Sequence, residues 1–363
     1  MIYRFGELFC GPGGLALGAI NACIISPENE KFGVEHAFAT DIDKWACKTY
    51  AHNICQGSSE HVYTGDIKTF DISKFPDIDA FAFGFPCNDF SIVGEHKGIN
   101  GDFGGLYRYG KNVIDIKRPK WFIAENVGGL KSANGGETFD LILKELSKAG
   151  NGYELTPHLY KFEEYGIPQK RHRIIIVGIE KKEKIKFKVP APTTRDNPIS
   201  AQKAIEEPPI NPKTATNNEL TKQSKTVVER LSYIPEGKNA WCEEIPERLR
   251  LNVKRARLSQ IYKRFKRDEP AYTITGSGGG GTHGYHWSEN RALTNRERAR
   301  LQTFPDSFFF VGGKEQVRKQ IGMAVPPVGV QIIVEAVLKT FARVQYDFVQ
   351  DHWAGILNHS ETA

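Results

Sequence analysis

Phe5-Gly6-Glu7-Leu8-Phe9-Cys10-Gly11-Pro12-Gly13-Gly14-Leu15-Ala16-Leu17-Gly18 is the stretch that decides the architecture. Residues Ile2 to Phe9 read as a strand, a glycine-rich turn follows, and apolar residues continue at helical spacing through Ala19, Ile20 and Ala22. Strand, glycine turn and helix, in that order, open a doubly wound, Rossmann-like α/β sheet. The glycines let a ligand approach the backbone closely, and the helix N-terminus favours electron-rich groups. Close packing of a helix on a strand asks for the same glycines, so this turn alone leaves both readings level.

Working outward, His36 to Thr40 reads as a second strand that ends at Asp41-Ile42-Asp43. A carboxylate at that strand end can accept from both ribose hydroxyls of a nucleoside. The alternative is a surface or helix-capping aspartate, and Asp43 fits that description ahead of a helix from about Lys44 to Asn53. Tyr63-Thr64-Gly65-Asp66-Ile67 places a further acid in a loop, where Asp66 could meet an adenine amino group with Ile67 packed on the ring. These features point to an adenosine-containing cofactor.

Ala80 to Phe85 is an apolar run that reads as a buried parallel strand, and it stops abruptly at Pro86-Cys87-Asn88. Chemistry collects at the carboxyl ends of such strands, so Cys87 sits where a nucleophile would be presented; a buried cysteine acting as a small hydrophobe is the competing reading. Trp121 to Ala124 reads as another buried strand, ending in Glu125-Asn126-Val127, where Glu125 is either a general acid or a charge at a helix N-terminus. Gln169-Lys170-Arg171-His172-Arg173 leads into the apolar strand Ile174 to Gly178. Alternation along a strand would put Arg171 and Arg173 on one face, positioned to hold a planar polar ring, or else simply solvated.

The 363 residues exceed what one core usually serves, so two domains are expected. We divide the chain into a catalytic and cofactor-binding domain at 1–188, a smaller irregular domain at 189–315, a helix returning to the first domain at 316–343 and a tail at 344–363 with no readable signal. The net charge of +6 is modest, so its placement matters more than its size. Arg248 to Arg267 carries nine Lys/Arg and no acid, with Tyr262 and Phe265 interleaved, a density that fits contact with a polyanion. Glycines 278 to 281 follow, bringing backbone amides within reach of a phosphate or a base edge. Thr294, with Glu297 three residues on, is expected to cap a helix. Six cysteines with no CxxC pair argue against structural zinc and a disulfide framework, and no metal is expected. Without a signal-peptide pattern or an apolar run near the about 20 residues that span a bilayer, a cytoplasmic protein is expected.

Taken together the blocks carry a family resemblance. Phe9-x-Gly11-x-Gly13-Gly14, Asp41, Asp66, Pro86-Cys87, Glu125-Asn126-Val127, Gln169-x-Arg171-x-Arg173, Arg291 to Pro305 and Gln320-x-Gly322 appear in the order found in DNA (cytosine-5-)methyltransferases of bacterial restriction–modification systems, which this chain resembles from Phe5 to about Phe341. The basic region between Arg173 and Arg291 stands where that family keeps its target recognition domain. There are departures: Asn88 replaces the usual glutamine, Met323 replaces an asparagine whose amide the family uses near its cofactor, and an arginine of the closing loop is missing near Gly104.

The resemblance implies a fold, a cofactor and a site. The cofactor is S-adenosylmethionine, held by Phe9, Gly11, Gly13, Gly14, Leu15, Asp41, Ile42, Asp66, Ile67, Pro86, Ala324 and Val325. The catalytic set is Cys87 as nucleophile on carbon 6 of cytosine, Glu125 at ring N3, and Arg173 with Arg171 on the O2 side. The partner is double-stranded DNA, from which the target cytosine must be flipped, with closure of the Ser91 to Gly105 loop offsetting the cost. A monomer and a cognate restriction endonuclease acting on the same site are further expectations. An NAD-dependent oxidoreductase would leave Pro86-Cys87, Glu125 and the arginines unexplained. An RNA cytosine methyltransferase lacks support from the long basic insert, and an inactive DNA-binding regulator would not need the complete Cys87, Glu125 and Arg173 set.

Overall fold

The computed structural model describes residues 1–85, 105–130, 136–252, 258–276 and 281–353. They form two compact units: Met1–Lys161, His172–Pro192 and Pro327–Ala363 make the first, Phe162–Arg171 and Thr193–Pro326 the second. The changes of unit fall at Pro192/Thr193 and Pro326/Pro327, and the second unit also takes a ten-residue piece from within the first domain of the sequence division.

The first unit runs β1 (Ile2–Leu8), α1 (Gly14–Asn21), β2 (Cys23–Ile25), β3 (Lys31–Asp41), α2 (Lys44–Ile54), β4 (Val62–Thr64), β5 (Ala80–Gly84), α3 (Tyr107–Lys117), β6 (Trp121–Val127), α4 (Glu137–Ser147) and β7 (Tyr153–Lys161). After β8 (Gln169–Lys170), which belongs to the second unit, β9 (His172–Glu180) and β10 (Val189–Pro190) follow. The main sheet has eight strands in the order β2-β3-β1-β5-β6-β9-β7, with β4 paired to β3. Its centre is parallel from β3 through β6, while β9 and β7 are antiparallel. Ala80, Phe81, Ala82 and Phe83 of β5 are all buried, as a strand covered on both faces requires. The chain places β3 on one side of β1 and β5 on the other, so the strand order reverses at β1 and leaves a crevice at the carboxyl ends. The antiparallel β2 was not anticipated, because three residues carry too little pattern to read.

In the second unit the regular elements are short: β8, α5 (Ala201–Glu206), α6 (Lys225–Ser232), β11 (Ala271–Tyr272), α7 (Asn295–Leu301) and α8 (Lys314–Met323). Loops buried by such a chain leave carbonyls that need donors, and buried arginines supply them. Arg296 donates to Thr216 O, Pro305 O and Phe308 O, and Arg264 to Leu231 O, His286 O and Glu289 O. Thr294 and Glu297 form the expected reciprocal capping box on α7. Phe265, read as a candidate contact for a polyanion, is instead buried and stacked on Tyr272 with centroids 4.1 Å apart. Several charges of the basic run are likewise neutralised locally: Arg248 by Glu229, Lys266 by Glu269 and Arg267 by Glu236.

The chain then returns to the first unit in α9 (Pro327–Phe341) and β12 (Phe348–Val349). α9 lies directly on α1, where a Cβ at Gly18 would stand 2.3 Å from Pro327 O and 2.6 Å from Val330 Cβ. The described part of the tail, 344–353, joins the core: β12 pairs with β10, Trp353 packs edge-on against Phe139, and His352 Nδ1 accepts from Leu159 N. The stretch Lys314–Phe341 is long and apolar enough to cross a bilayer by length and composition, which corrects the expectation of no such stretch; most of its apolar window is buried inside the protein.

Candidate active site

The crevice beside β1 gathers most of the expected cofactor residues. β1 leads into Phe9, whose φ of 56° is left-handed backbone held by a non-glycine residue, a strain that recurs at ligand sites. Gly11 has φ +53° and, among the described residues, nothing within 4 Å of a Cβ position, so the backbone is open to an incoming group; a Cβ at Gly13, at φ +97°, would stand 3.0 Å from the Tyr50 ring. Gly14 and Leu15 are buried in the first turn of α1. At the end of β3, Asp41 accepts from Gly11 N through Oδ2 and from Asp43 N through Oδ1, both at 2.8 Å. The glycine turn and the second strand end are therefore tied together by one carboxylate. Asp43 caps α2 by accepting from Trp45 N and Ala46 N, as its alternative reading has it.

Ile42 is 73% exposed although it borders this buried turn, an apolar surface suited to a flat ring. Asp66 accepts from Lys68 N as the cap of a short helical turn, and Ile67 beside it is buried. Behind the turn, Glu7 is fully buried, with the Tyr50 hydroxyl and the Ala16 backbone N–H beside its carboxylate. Burial, helped by the negative charge of Asp41, pushes the Glu7 carboxyl well above the usual carboxylate range. The Cys10 thiol is also pushed up, chiefly by burial. A glycine turn open at Gly11, a paired acceptor at Asp41 and an exposed apolar Ile42 fit an adenosine-containing group.

The second cluster lies at the carboxyl end of β5 and on its neighbours. Glu125 pairs in register with Gly84 of β5 and with Ile175 of β9. Arg173, two residues before Ile175, is therefore on the same face as Glu125, and its Nε stands 2.8 Å from Glu125 Oε1. Gly84 makes room for the carboxylate, since a Cβ there would lie 3.1 Å from Glu125 Oε2. Both side chains are mostly buried, at 12% and 13% exposure, so the pair is shielded from full solvent screening.

Asn126, which the sequence reading quoted but did not assign to the site, is 2% exposed. It donates from Nδ2 to Phe85 O at 3.0 Å and accepts from Val127 N. It thus fixes the last described residue before Pro86-Cys87; an asparagine inside an apolar strand was the signal that could have found it.

Pro86, Cys87, Asn88 and most of the Ser91 to Gly105 segment lie outside the described residues, as do Lys254, Arg255, Arg257 and glycines 278 to 280. Arg171 and Arg173 do not share a strand. Pairing passes from β8 to β9 at Arg171, so the alternation that would align them is interrupted. Arg171 belongs to the second unit, 2% exposed, and donates to Ile274 O and Gly322 O. Its neighbour Gln169 bonds Leu301 O, Gln302 Oε1 and Ile274 N. Ala324 and Val325 are buried in the second unit, and Met323 is 65% exposed. Among the described residues no group of three or more His, Cys, Asp or Glu could hold a metal ion.

Comparison with known proteins was consistent across sequence and structure. A family model described as C-5 cytosine-specific DNA methylase matches residues 3–339. The chain is 59% identical over 359 residues to the type II methyltransferase M.BbvI of Brevibacillus brevis, covering 97% of this chain and 95% of that one. It is 40% identical to the type II methyltransferase M.NgoFVII of Neisseria gonorrhoeae, covering 93% and 86%. Among solved structures, a prophage-encoded E. coli protein described as a DNA modification methyltransferase shares the fold with a TM-score of 0.71 at 21% identity, covering 93% of this chain and 99% of that one.

Proposed function

Because the chain belongs to the C-5 cytosine-specific DNA methylase family, we propose that it methylates carbon 5 of a cytosine flipped out of duplex DNA, through a covalent adduct at Cys87. The observation that carries this reading is the buried Glu125–Arg173 pair beside Gly84, at the end of the strand that leads to Pro86-Cys87. Carbon 5 of cytosine is a weak nucleophile, and addition of a thiolate at carbon 6 makes it a strong one. Cys87 would add there while Glu125 meets the ring at N3 and Arg173 its O2 edge, so the electron density pushed into the ring finds a proton and a cation. Loss of the carbon 5 proton and expulsion of Cys87 then restore the aromatic base. Asn126 contributes by holding Phe85, and with it the end of β5, in place.

S-adenosylmethionine, when bound, supplies an electrophilic methyl group. Asp41 would hold its ribose, Asp66 its adenine amine, Phe9, Ile42 and Ile67 the ring, and Gly11 to Leu15 the methionine part. Pro86, Ala324 and Val325 complete the set that the family resemblance assigns. The second unit, 193–326 with its basic run, would read duplex DNA as a monomer, and methylation would protect a site from a cognate endonuclease.

Transfer of tritiated methyl groups from S-adenosylmethionine to duplex DNA tests the reading directly. Cys87→Ser is expected to abolish transfer while retaining DNA binding, and bisulfite sequencing of DNA from expressing cells is expected to show one protected sequence context. Near-wild-type transfer by the serine variant would refute the covalent route.

A further inference from the structure

We propose that Arg298 and Arg318, joined through His283, form a binding site in the second unit for one phosphodiester of the DNA backbone. The proposal rests on the DNA-methylating reading above and adds a contact that reading does not contain. Arg298 is 3% exposed on α7, and its one hydrogen bond within the described residues runs from Nη2 to His283 O; its buried Nε has no partner. Among the described residues Arg318 on α8 has a buried Nε without a partner, places Nη1 3.5 Å from His283 Nδ1, and reaches a carboxylate only at 3.7 Å, on Glu315, which is itself 82% exposed.

The other buried arginines of the unit show why this pair differs. Arg296 and Arg264 each donate to three backbone carbonyls, and Arg291 holds Glu297 and Glu289 in close ion pairs. Glu297, the carboxylate next to Arg298 in sequence, is therefore already committed to Arg291 at 2.7 Å. One guanidinium thus holds the His283 carbonyl and the other its imidazole, with little negative charge among the described residues to balance them. Desolvation and repulsion by Arg318 bring Arg298 down to about 10. Burial and the two arginines hold His283 at about 4, with Glu315 pulling weakly the other way. A buried cation without a counter-ion is costly, and an anion entering such a site is bound by charge-assisted hydrogen bonds. A phosphodiester carries one negative charge and two acceptor oxygens, which matches two guanidiniums better than a neutral base edge does.

Equilibrium binding of the full chain to a fluorescent duplex carrying its methylated site, measured from 50 to 200 mM KCl, tests the site. Each phosphate contact contributes about 0.9 to the slope of log K against log salt. Arg318→Gln is expected to lower the wild-type slope by about 0.9, and Arg298→Lys to weaken binding with the slope kept. A series of duplexes with single neutral methylphosphonates is expected to reveal one position at which wild type loses affinity and Arg318→Gln loses no more. Thermal melts of both variants check folding, and Arg318→Gln, at a partly exposed side chain, carries the test if Arg298→Lys does not fold. An unchanged slope with additive losses at every methylphosphonate overturns the proposal. So does stabilisation by inorganic phosphate alone with an unchanged slope, which marks a free-anion site. A wild-type chain with neither duplex affinity nor methyl transfer overturns the methyltransferase reading along with it.

Discussion

Replacing Gly18 by alanine probes the contact that joins the glycine turn to the end of the first unit. The added methyl would lie 2.3 Å from Pro327 O, 2.6 Å from Val330 Cβ and 2.9 Å from Gln331 N. Two of those three atoms are backbone, so no rotamer change relieves the overlap, and α9 must withdraw from α1 by about 1 Å to restore ordinary contact. Overpacking of this kind costs about 1–3 kcal/mol, and the backbone clash puts Gly18→Ala at the upper end. Against it stands about 1 kcal/mol of helix propensity gained on replacing glycine by alanine. The net loss of about 2 kcal/mol in a unit of this size corresponds to a fall in Tm of about 4–8 °C. Differential scanning calorimetry reads that fall, and Gly129→Ala, with nothing among the described residues within 4 Å of its Cβ, serves as the control that should not show it. Because α1 follows the glycine turn directly, titration with S-adenosylhomocysteine should show weaker binding as well. A Gly18→Ala chain that melts with wild type would refute the argument that glycine is there for the helix contact.

Three further outcomes are expected. Asp41→Ala removes the acceptor shared by Gly11 N and Asp43 N, and charged hydrogen bonds of about 1.5–3 kcal/mol imply a roughly 10- to 100-fold weaker Kd for S-adenosylhomocysteine by calorimetry; an unchanged Kd would remove Asp41 from the cofactor site. Asn126→Ala leaves Phe85 O and Val127 N without their partner, costing about 1–3 kcal/mol of stability, and should lower kcat more than it raises KM for DNA. Glu7 has its pKa raised in the folded chain, so the folded state keeps a proton that the unfolded state gives up, and stability contributed by this group declines as pH rises above 4.5. Glu7→Gln should therefore raise Tm near neutral pH and flatten its dependence from pH 5 to 8; an unchanged dependence would show that Glu7 is ionised in the fold.

The parts of this molecule that could be read in sequence are those set by local chemistry. The β1 turn, the capping box at Thr294 and the apolar β5 and β6 follow from glycine placement, side-chain oxygens three residues apart and uninterrupted burial. Arg171 and Arg173 show where that reasoning stops. Alternation is a property of one continuous strand, and nothing local announces that pairing changes partner at Arg171. Phe265 shows a second limit: an aromatic among lysines reads as a surface contact until Tyr272, remote in pairing, covers it. The tail was missed for the same reason, because β12 is two residues long and gains its meaning only from β10.

The order of segments within the first unit has a consequence for how the protein is made. Its sheet is laid down by Glu180, but α9, which covers α1, comes only from Pro327 onward. Everything between Thr193 and Pro326 belongs to the other unit and can complete itself while the ribosome is still translating. The glycine turn at Gly11 therefore waits, with α1 uncovered on its Gly18 side, until Pro327 and the residues after it have been made. A product terminated before Pro327 would carry Asp41, Glu125 and Arg173 yet lack the helix that backs α1. Incomplete synthesis should yield chains prone to degradation rather than a partial enzyme.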